Sequence, residues 1–276
     1  MPSDRIPARA ILFICVIFLA LVIVHLWWSA EVDEPAAPDQ QGPRLSSIRI
    51  VEGDRVVDLE AEPPAAEGSP QEVLEASLEL LGTGSTNERR ATAIQLAYMA
   101  NDPEEHDRLA ALEPGLRSRV EEGLLIGLRS QDAAVAGGCA RALIGWWRIA
   151  QSAAADQHFR QGLAAYEAQQ YDTALSVFRN VEELGGAAPP DLFRMKAEAL
   201  LKRSQPELAL AECARALEAE PMHFAAYYVQ ATAYAQTAQA EDAVASLDKA
   251  LAVYPGFTEA RRLRSALVPA PEGGAP

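Results

Sequence analysis

The sequence predicts an all-α protein: an N-terminal transmembrane helix, a linker, and a body of repeated helical hairpins wound as an α-α superhelix. Three observations predict it. An amphipathic helix is spelled twice, "PELALAECARALEAEP" at 206–221 and "AEDAVASLDKALAVYP" at 240–255, thirty-four residues apart. A looser self-similarity links "LELLGTGSTNERRATAIQLA" (78–97) to "LIGLRSQDAAVAGGCARALI" (125–144) at an offset of forty-seven. Nineteen residues, 10–28, carry no formal charge, no Pro and no Gly.

The apolar run comes first in the chain. As a helix it would be about 28 Å long, close to the hydrocarbon thickness of a bilayer. A cleaved signal peptide is the rival reading, but cleavage before Glu31 would set Trp28 where a small residue is needed. Residues 1–30 are therefore expected to be an uncleaved signal-anchor, with Trp27 and Trp28 at the membrane interface. Arg5 and Arg9 precede the span and no Lys or Arg follows until Arg44. That asymmetry predicts a single-pass protein with a cytoplasmic N-terminus and an extracytoplasmic body, periplasmic in a bacterium.

The net charge of −15 argues against a nucleic-acid partner. The acid is unevenly placed. Residues 31–79 hold thirteen Asp and Glu against three Arg, whereas 158–268 hold fourteen against eleven Lys and Arg. Residues 31–70 thus read as an acidic, Pro- and Ala-rich linker with little to bury. Within it, "SIRIVEGDRVVDLE" has two short β-branched runs around "EGD" and reads as a hairpin over 48–60. Such a hairpin is marginal alone and would be a weakly ordered ornament of the linker, lean on the body or await a partner's strand. Cys15, Cys139 and Cys213 lie far apart in apolar contexts, which predicts buried thiols rather than a disulfide framework.

From 71 to 152 the pattern is helical. "PQEVLEASLELL" opens with Pro in a first-turn position and ends near "GTGS". In the forty-seven-residue alignment Leu78 matches Leu125, Leu81 matches Leu128, Ser85 matches Asp132 and Leu96 matches Leu143. Each copy has a helix, a polar turn with a capping oxygen, and a second Ala-rich helix. This resembles the HEAT-type helical hairpin family, whose repeat length brackets the offset. A generic helical bundle is the alternative. Gly137 and Gly138 are expected to permit close helix approach. Trp146 and Trp147 are expected in the core, with a recognition patch as the other reading.

Residues 153–267 carry the thirty-four-residue pattern in three units. Gly162, Tyr171, Ala174 and Phe178 belong to the first. Phe193, Ala197, Leu200, Ala209, Ala216 and Pro221 belong to the second, and Tyr227, Ala231, Tyr234, Ala243, Leu247, Ala250 and Pro255 to the third. These units resemble the tetratricopeptide repeat family, which pairs two antiparallel helices every thirty-four residues. Small residues sit where helices cross closely, and large ones fill the space beside them. The first unit departs from the pattern at "GGAAPPD", which replaces a single closing Pro. "FTEARRLRSAL" (257–267) is expected to cap the array, with Arg261, Arg262 and Arg264 on its wet side. Residues 268–276 read as a disordered tail.

The resemblance implies a concave groove lined by the first helix of each hairpin. Its family positions fall on Phe159, Leu163 and Tyr166, on Arg194, Glu198 and Lys202, and on Tyr228 and Thr232. The family members that clamp a terminal carboxylate use a Lys and Asn cluster absent here, so that ligand is not expected. A solvated or self-packed face is the competing reading of these residues. His25, His106, His158 and His223 are scattered without metal-ligand spacing, and no hydrolase or phosphate-loop motif occurs. No catalytic residue, metal site or cofactor is expected, and the chain reads as a non-enzyme.

The functional expectation is a membrane-anchored scaffold that binds a protein or peptide partner, in envelope assembly or secretion. The alternative is a structural, self-associating protein that forms homo-oligomers without a client groove. A HEAT-like lyase is a remote third.

Overall fold

The computed structural model describes residues 48–52, 55–59 and 69–268. These all fall in one compact unit, 47–276. Strands β1 (Ile48–Glu52) and β2 (Arg55–Leu59) pair antiparallel, from Ile48 opposite Leu59 to Glu52 opposite Arg55.

Five helices follow: α1 (Pro70–Thr83), α2 (Thr86–Asn101), α3 (Pro103–Ala110), α4 (Pro114–Gly127) and α5 (Ala133–Trp146). Their starts are chemically marked. Ser69 and Glu72 form a reciprocal capping box at α1, and Ser85 and Glu88 form another at α2. Asp132 caps α5, its Oδ1 accepting from the amides of Ala134 (3.0 Å) and Val135 (3.1 Å). Ser85 and Asp132, the matched polar residues of the forty-seven-residue alignment, are thus equivalent N-caps. Short α3 bridges two stacked hairpins, α1–α2 and α4–α5.

The tightest seam lies between α2 and α5. A Cβ on Gly138 would stand 2.7 Å from Cβ of Ala93, and one on Gly145 would stand 2.5 Å from the carbonyl oxygen of Ala100. Both pairs are seven residues apart on their helices, so one stripe of small residues meets another. Gly137 does not share in this: its only neighbour within 4 Å is Arg141 Nη1, at 3.8 Å. The expectation that both adjacent glycines serve the crossing is corrected to Gly138 and Gly145. Trp146 and Trp147 are buried, at 4% and 3% exposure.

Seven helices complete the body: α6 (Ala153–Glu167), α7 (Tyr171–Glu183), α8 (Pro190–Lys202), α9 (Pro206–Ala219), α10 (Phe224–Gln236), α11 (Ala240–Val253) and α12 (Thr258–Leu267). They pair as α6–α7, α8–α9 and α10–α11, with α12 packed on α11. Ala174, Ala209 and Ala243, at matching positions of the second helices, are fully buried. Gly162 in α6 faces Phe178, whose ring a Cβ would strike; Ala197 and Ala231 hold the equivalent crossings and are also fully buried.

Each hairpin turns through one left-handed residue: Gln169 (φ 59°), Ser204 (φ 56°) and Ala238 (φ 59°). The next amide then reaches back five residues, Gln170 to Ala165 O, Gln205 to Leu200 O and Gln239 to Tyr234 O, at 2.9 to 3.0 Å. This is the Schellman closure, in which glycine is usual. None of the three is glycine, so each carries the steric penalty of a Cβ in that region. Ala238→Gly is expected to raise the unfolding free energy by about 0.5 kcal/mol in a urea melt, the Cβ relief exceeding the added unfolded-state freedom. A loss of stability would mean the turn is not under strain.

The core runs across the boundary between the two helical regions. Leu109, Val120, Leu143, Trp146, Trp147 and Ile149 share one cluster with Phe224 and Val253. Trp147 lies against His223 at 4.4 Å between ring centroids and against Phe224 at 5.8 Å.

The single-pass membrane localisation is corrected. Among the described residues no helix is long and apolar enough to cross a membrane. Residues 10–28, which prompted the expectation, lie outside the described residues, as do the linker around the hairpin and the tail from 269. The extracytoplasmic, envelope and secretion setting loses its support with that localisation.

Candidate functional site

The first helices α6, α8 and α10 stand side by side and carry all eight expected groove residues. The structure divides these residues into two groups. Phe159 is 1% exposed and packs on Phe178 at 5.7 Å between centroids. Arg194 is 6% exposed. Neither presents a free side chain. Leu163, Tyr166, Glu198, Tyr228 and Thr232 are half-buried and Lys202 is exposed. The sequence pattern gives all eight as groove positions and does not show which are sealed.

Arg194 is sealed by charge. Its guanidinium donates to both carboxylate oxygens of Asp191 and to Glu198 Oε1. Asp191 is fully buried and also accepts from Arg148 Nε at 2.8 Å. Glu198 in turn accepts from the Tyr166 hydroxyl at 3.2 Å. His223 Nδ1 accepts from the Ala226 amide, which leaves Nε2 to carry the proton. That Nε2 lies 3.2 Å from Asp191 Oδ1, at an angle that makes no hydrogen bond. Burial alone would raise the Asp191 carboxyl, but the Arg194 and Arg148 guanidiniums outweigh it and hold it well below the usual carboxylate range. Burial also pushes His223 down, toward the neutral imidazole.

The connector after α5 explains why the upper half of this face is closed. The amide of Asp191 donates to the carbonyl of Trp147 at 3.2 Å, Arg148 pairs with Asp191, and Ile149 and Ala150 are each 4% exposed. The Gln151 side chain accepts from the Ala187 amide at 3.4 Å. The chain's own residues 147–151 thus cover the N-terminal ends of α8 and α10. What stays open is the lower half, where Tyr166 donates to Glu198 between two hairpins and the half-buried Tyr228 packs on Phe257 at 5.2 Å between ring centroids; burial first, then Glu259 and Glu198, raises the Tyr228 phenol.

Several residues in these networks were not legible as functional or structural. His106 is buried, its Nδ1 2.6 Å from Asp156 Oδ1 and its Nε2 3.1 Å from Ala100 O. In sequence it sits among solvated acids at a helix start, and its partner is fifty residues away. Asp191 reads as an ordinary first-turn acid after "PP". Glu121 accepts from Trp147 Nε1 at 2.5 Å, and Glu220 accepts from the Met222 amide at 2.7 Å. Burial, and then the charge of Glu121, push the Glu220 carboxyl up to about 7 against that amide bond.

Cys139 and Cys213 are fully buried, and burial pushes both thiols up to about 12, far from the reactive thiolate. Among the described residues no group of His, Cys, Asp and Glu is arranged to hold a metal. On the opposite face α7, α8 and α9 enclose an open cleft of about 620 Å³, lined by Leu175, Arg179, Lys196, Leu200, Arg203 and Leu208 among others.

Three hairpins in phase, small residues at every crossing and one left-handed residue per turn decide the fold of 153–267. The array is a tetratricopeptide-like helical repeat. No family model matches the chain, and no curated protein does either. Solved structures of tetratricopeptide proteins overlap it in part. The TPR domain of Arabidopsis OM64 is 24% identical over 41% of this chain and 93% of its own, with a TM-score of 0.40. MamA from Desulfovibrio magneticus is 22% identical over 55% and 83%, with a TM-score of 0.39. The first TPR of Spaghetti, bound to an HSP90 peptide, is 20% identical over 41% and 89%, with a TM-score of 0.39. The assignment of the tetratricopeptide-like array rests on this chain's own repeat geometry.

Proposed function

We propose that the chain is a protein-binding scaffold that takes a segment of a partner on the open, lower half of its concave face. The observation that carries this reading is the hydrogen bond from Tyr166 to Glu198 between two hairpins, with the half-buried Tyr228 on the first helix of the third. Repeat stacking turns residues thirty-two and thirty apart in sequence into one patch. Half-buried tyrosines beside a satisfied carboxylate give amphipathic contact area at low entropic cost, with Leu163 and Thr232 at the margins and Lys202 exposed. Arg194, which the sequence nominates as a contact, serves here as the anchor that orients Glu198.

Site-specific photo-crosslinking tests the reading. A benzophenone side chain at position 202 is expected to capture a heterologous partner, whereas one at 179 on the opposite cleft is not. Tyr166→Ala with Tyr228→Ala is expected to remove at least about 2 kcal/mol of binding, as truncation of paired hot-spot aromatics does, with far-UV circular dichroism unchanged. Capture at 179 alone would move recognition to the opposite cleft. Crosslinks only between copies of this chain would favour self-association.

A further inference from the structure

We propose that Tyr254, Phe257 and Tyr228 form an aromatic platform that takes a proline-rich segment of a protein partner in the polyproline II conformation. That the partner is a protein rests on the reading above; the platform itself rests on the geometry of the rings.

The rings form a continuous ladder. Phe257, the N-cap of α12, lies 5.7 Å from Tyr254 between centroids, nearly parallel at 17°, and 5.2 Å from Tyr228 on α10. Beneath them is Phe224, 4% exposed, at 5.3 Å from Tyr254 and 5.5 Å from Phe257 and edge-on to both. Phe224 in turn meets Trp147 at 5.8 Å, so the ladder stands on the shared core of the two helical regions. The turn also holds Tyr254: a Cβ on Gly256 would stand 2.7 Å from its Cε2. Rings fixed in this way lose little freedom when a ligand covers them.

Above that base Tyr254, Phe257 and Tyr228 are half-buried, each keeping part of its surface open. Among the described residues neither the Tyr228 nor the Tyr254 hydroxyl has a hydrogen-bond partner, and neither is sealed from solvent. No cation of the described residues lies over these rings; the cation–ring contacts fall on Trp146, Phe193 and Tyr227. Contiguous ring surface with two free donors calls for a ligand that brings apolar bulk together with unpaired carbonyls. A helix has its carbonyls bonded within itself. An extended strand brings an amide for every carbonyl, and rings offer those amides no sheet edge. A polyproline II segment has no internal hydrogen bonds, its prolines have no N–H, and their pyrrolidine rings are compact apolar bodies. Prolines three apart recur about every 9 Å along one edge of that helix, a span that two ring-to-ring steps cover. Such a segment also arrives already ordered, which is how aromatic-lined grooves select it.

The test uses the full chain labelled with 3-fluorotyrosine, the Tyr228 and Tyr254 resonances being assigned from Tyr228→Phe and Tyr254→Phe. Acetyl-decaproline amide is expected to shift both ¹⁹F resonances saturably, and a Gly-Ser repeat of equal length is not. The Tyr228→Phe, Tyr254→Phe pair keeps the rings and removes the donors. It is expected to weaken decaproline binding by at least about tenfold in calorimetry, as loss of two hydrogen bonds does, with Tm unchanged. No shift, or equal affinity in the double variant, overturns the proposal. A lower Tm in that variant would give the hydroxyls internal partners and overturns it as well. Tighter binding of a trimethyllysine peptide than of decaproline overturns the choice of ligand. Resonances that move with protein concentration alone assign the platform to a second copy of the chain, which also overturns it. Capture at position 202 without a decaproline shift removes the platform and leaves the scaffold reading standing; a decaproline shift without capture at 202 does the reverse.

Discussion

Asp191→Asn is expected to lower the unfolding free energy by about 3–5 kcal/mol, the range seen when one member of a buried ion-pair network is removed. The carboxylate is fully buried and serves two cations: Arg194, at 7% side-chain exposure, and Arg148, at 27%. An asparagine keeps the shape but supplies one neutral oxygen, and its NH₂ would point at a guanidinium. Arg194 would retain Glu198; Arg148 would have no acid left. The same residue also sets an acid limit. Its carboxyl is held well below the usual range, so its contribution is fully present above the unfolded carboxylate pKa of about 4 and is lost as pH falls through the lower folded value. Chemical denaturation of both proteins between pH 3 and pH 7 measures this: the wild type is expected to lose stability at the acid end, and the variant to lack that component. A drop below about 1 kcal/mol at pH 7 would place the pair among contacts that water replaces freely.

This network also shows where sequence reading stops. The repeat phase was legible because it depends on residue size alone: Ala174, Ala209 and Ala243 are small, equally spaced and fully buried. The N-caps Ser85 and Asp132 were legible for a similar reason, since capping is decided within three residues of the cap. The groove was half legible. Family spacing placed Phe159 and Arg194 beside Tyr166 and Glu198, but the connector 147–151 covers the upper positions, and nothing local in "WWRIAQ" announces that it lies over α8. The His106–Asp156 and Arg148–Asp191 pairs join residues fifty and forty-three apart in sequence. Each partner alone reads as a surface group, and only the shared core of the two helical regions makes it buried. The membrane expectation fell outside the described residues altogether, and those residues supply no span of their own.

The glycines of α5 allow the other large effect to be predicted with its sign reversed inside a single helix. Gly145→Val is expected to destabilise by about 3 kcal/mol, the upper part of the range for overpacking a tight interface. A Cβ there would stand 2.5 Å from the oxygen and 2.7 Å from the carbonyl carbon of Ala100, and 2.7 Å from Nδ2 of Asn101. Two of those three atoms are backbone in α2, so no rotamer change relieves the clash and the helices must part. Parting them also opens the Gly138–Ala93 contact one heptad earlier, so the two sites are not independent. Gly137→Ala should do the opposite. Only Arg141 Nη1 lies within reach, at an ordinary 3.8 Å, and replacing a mid-helix glycine by alanine stabilises by up to about 1 kcal/mol. Thermal melts of Gly137→Ala, Gly145→Ala and Gly145→Val form the series. A rise for the first, a fall for the second and a deeper fall for the third is the expected order. Equal responses at 137 and 145 would mean that α2 and α5 do not cross where the backbone places them.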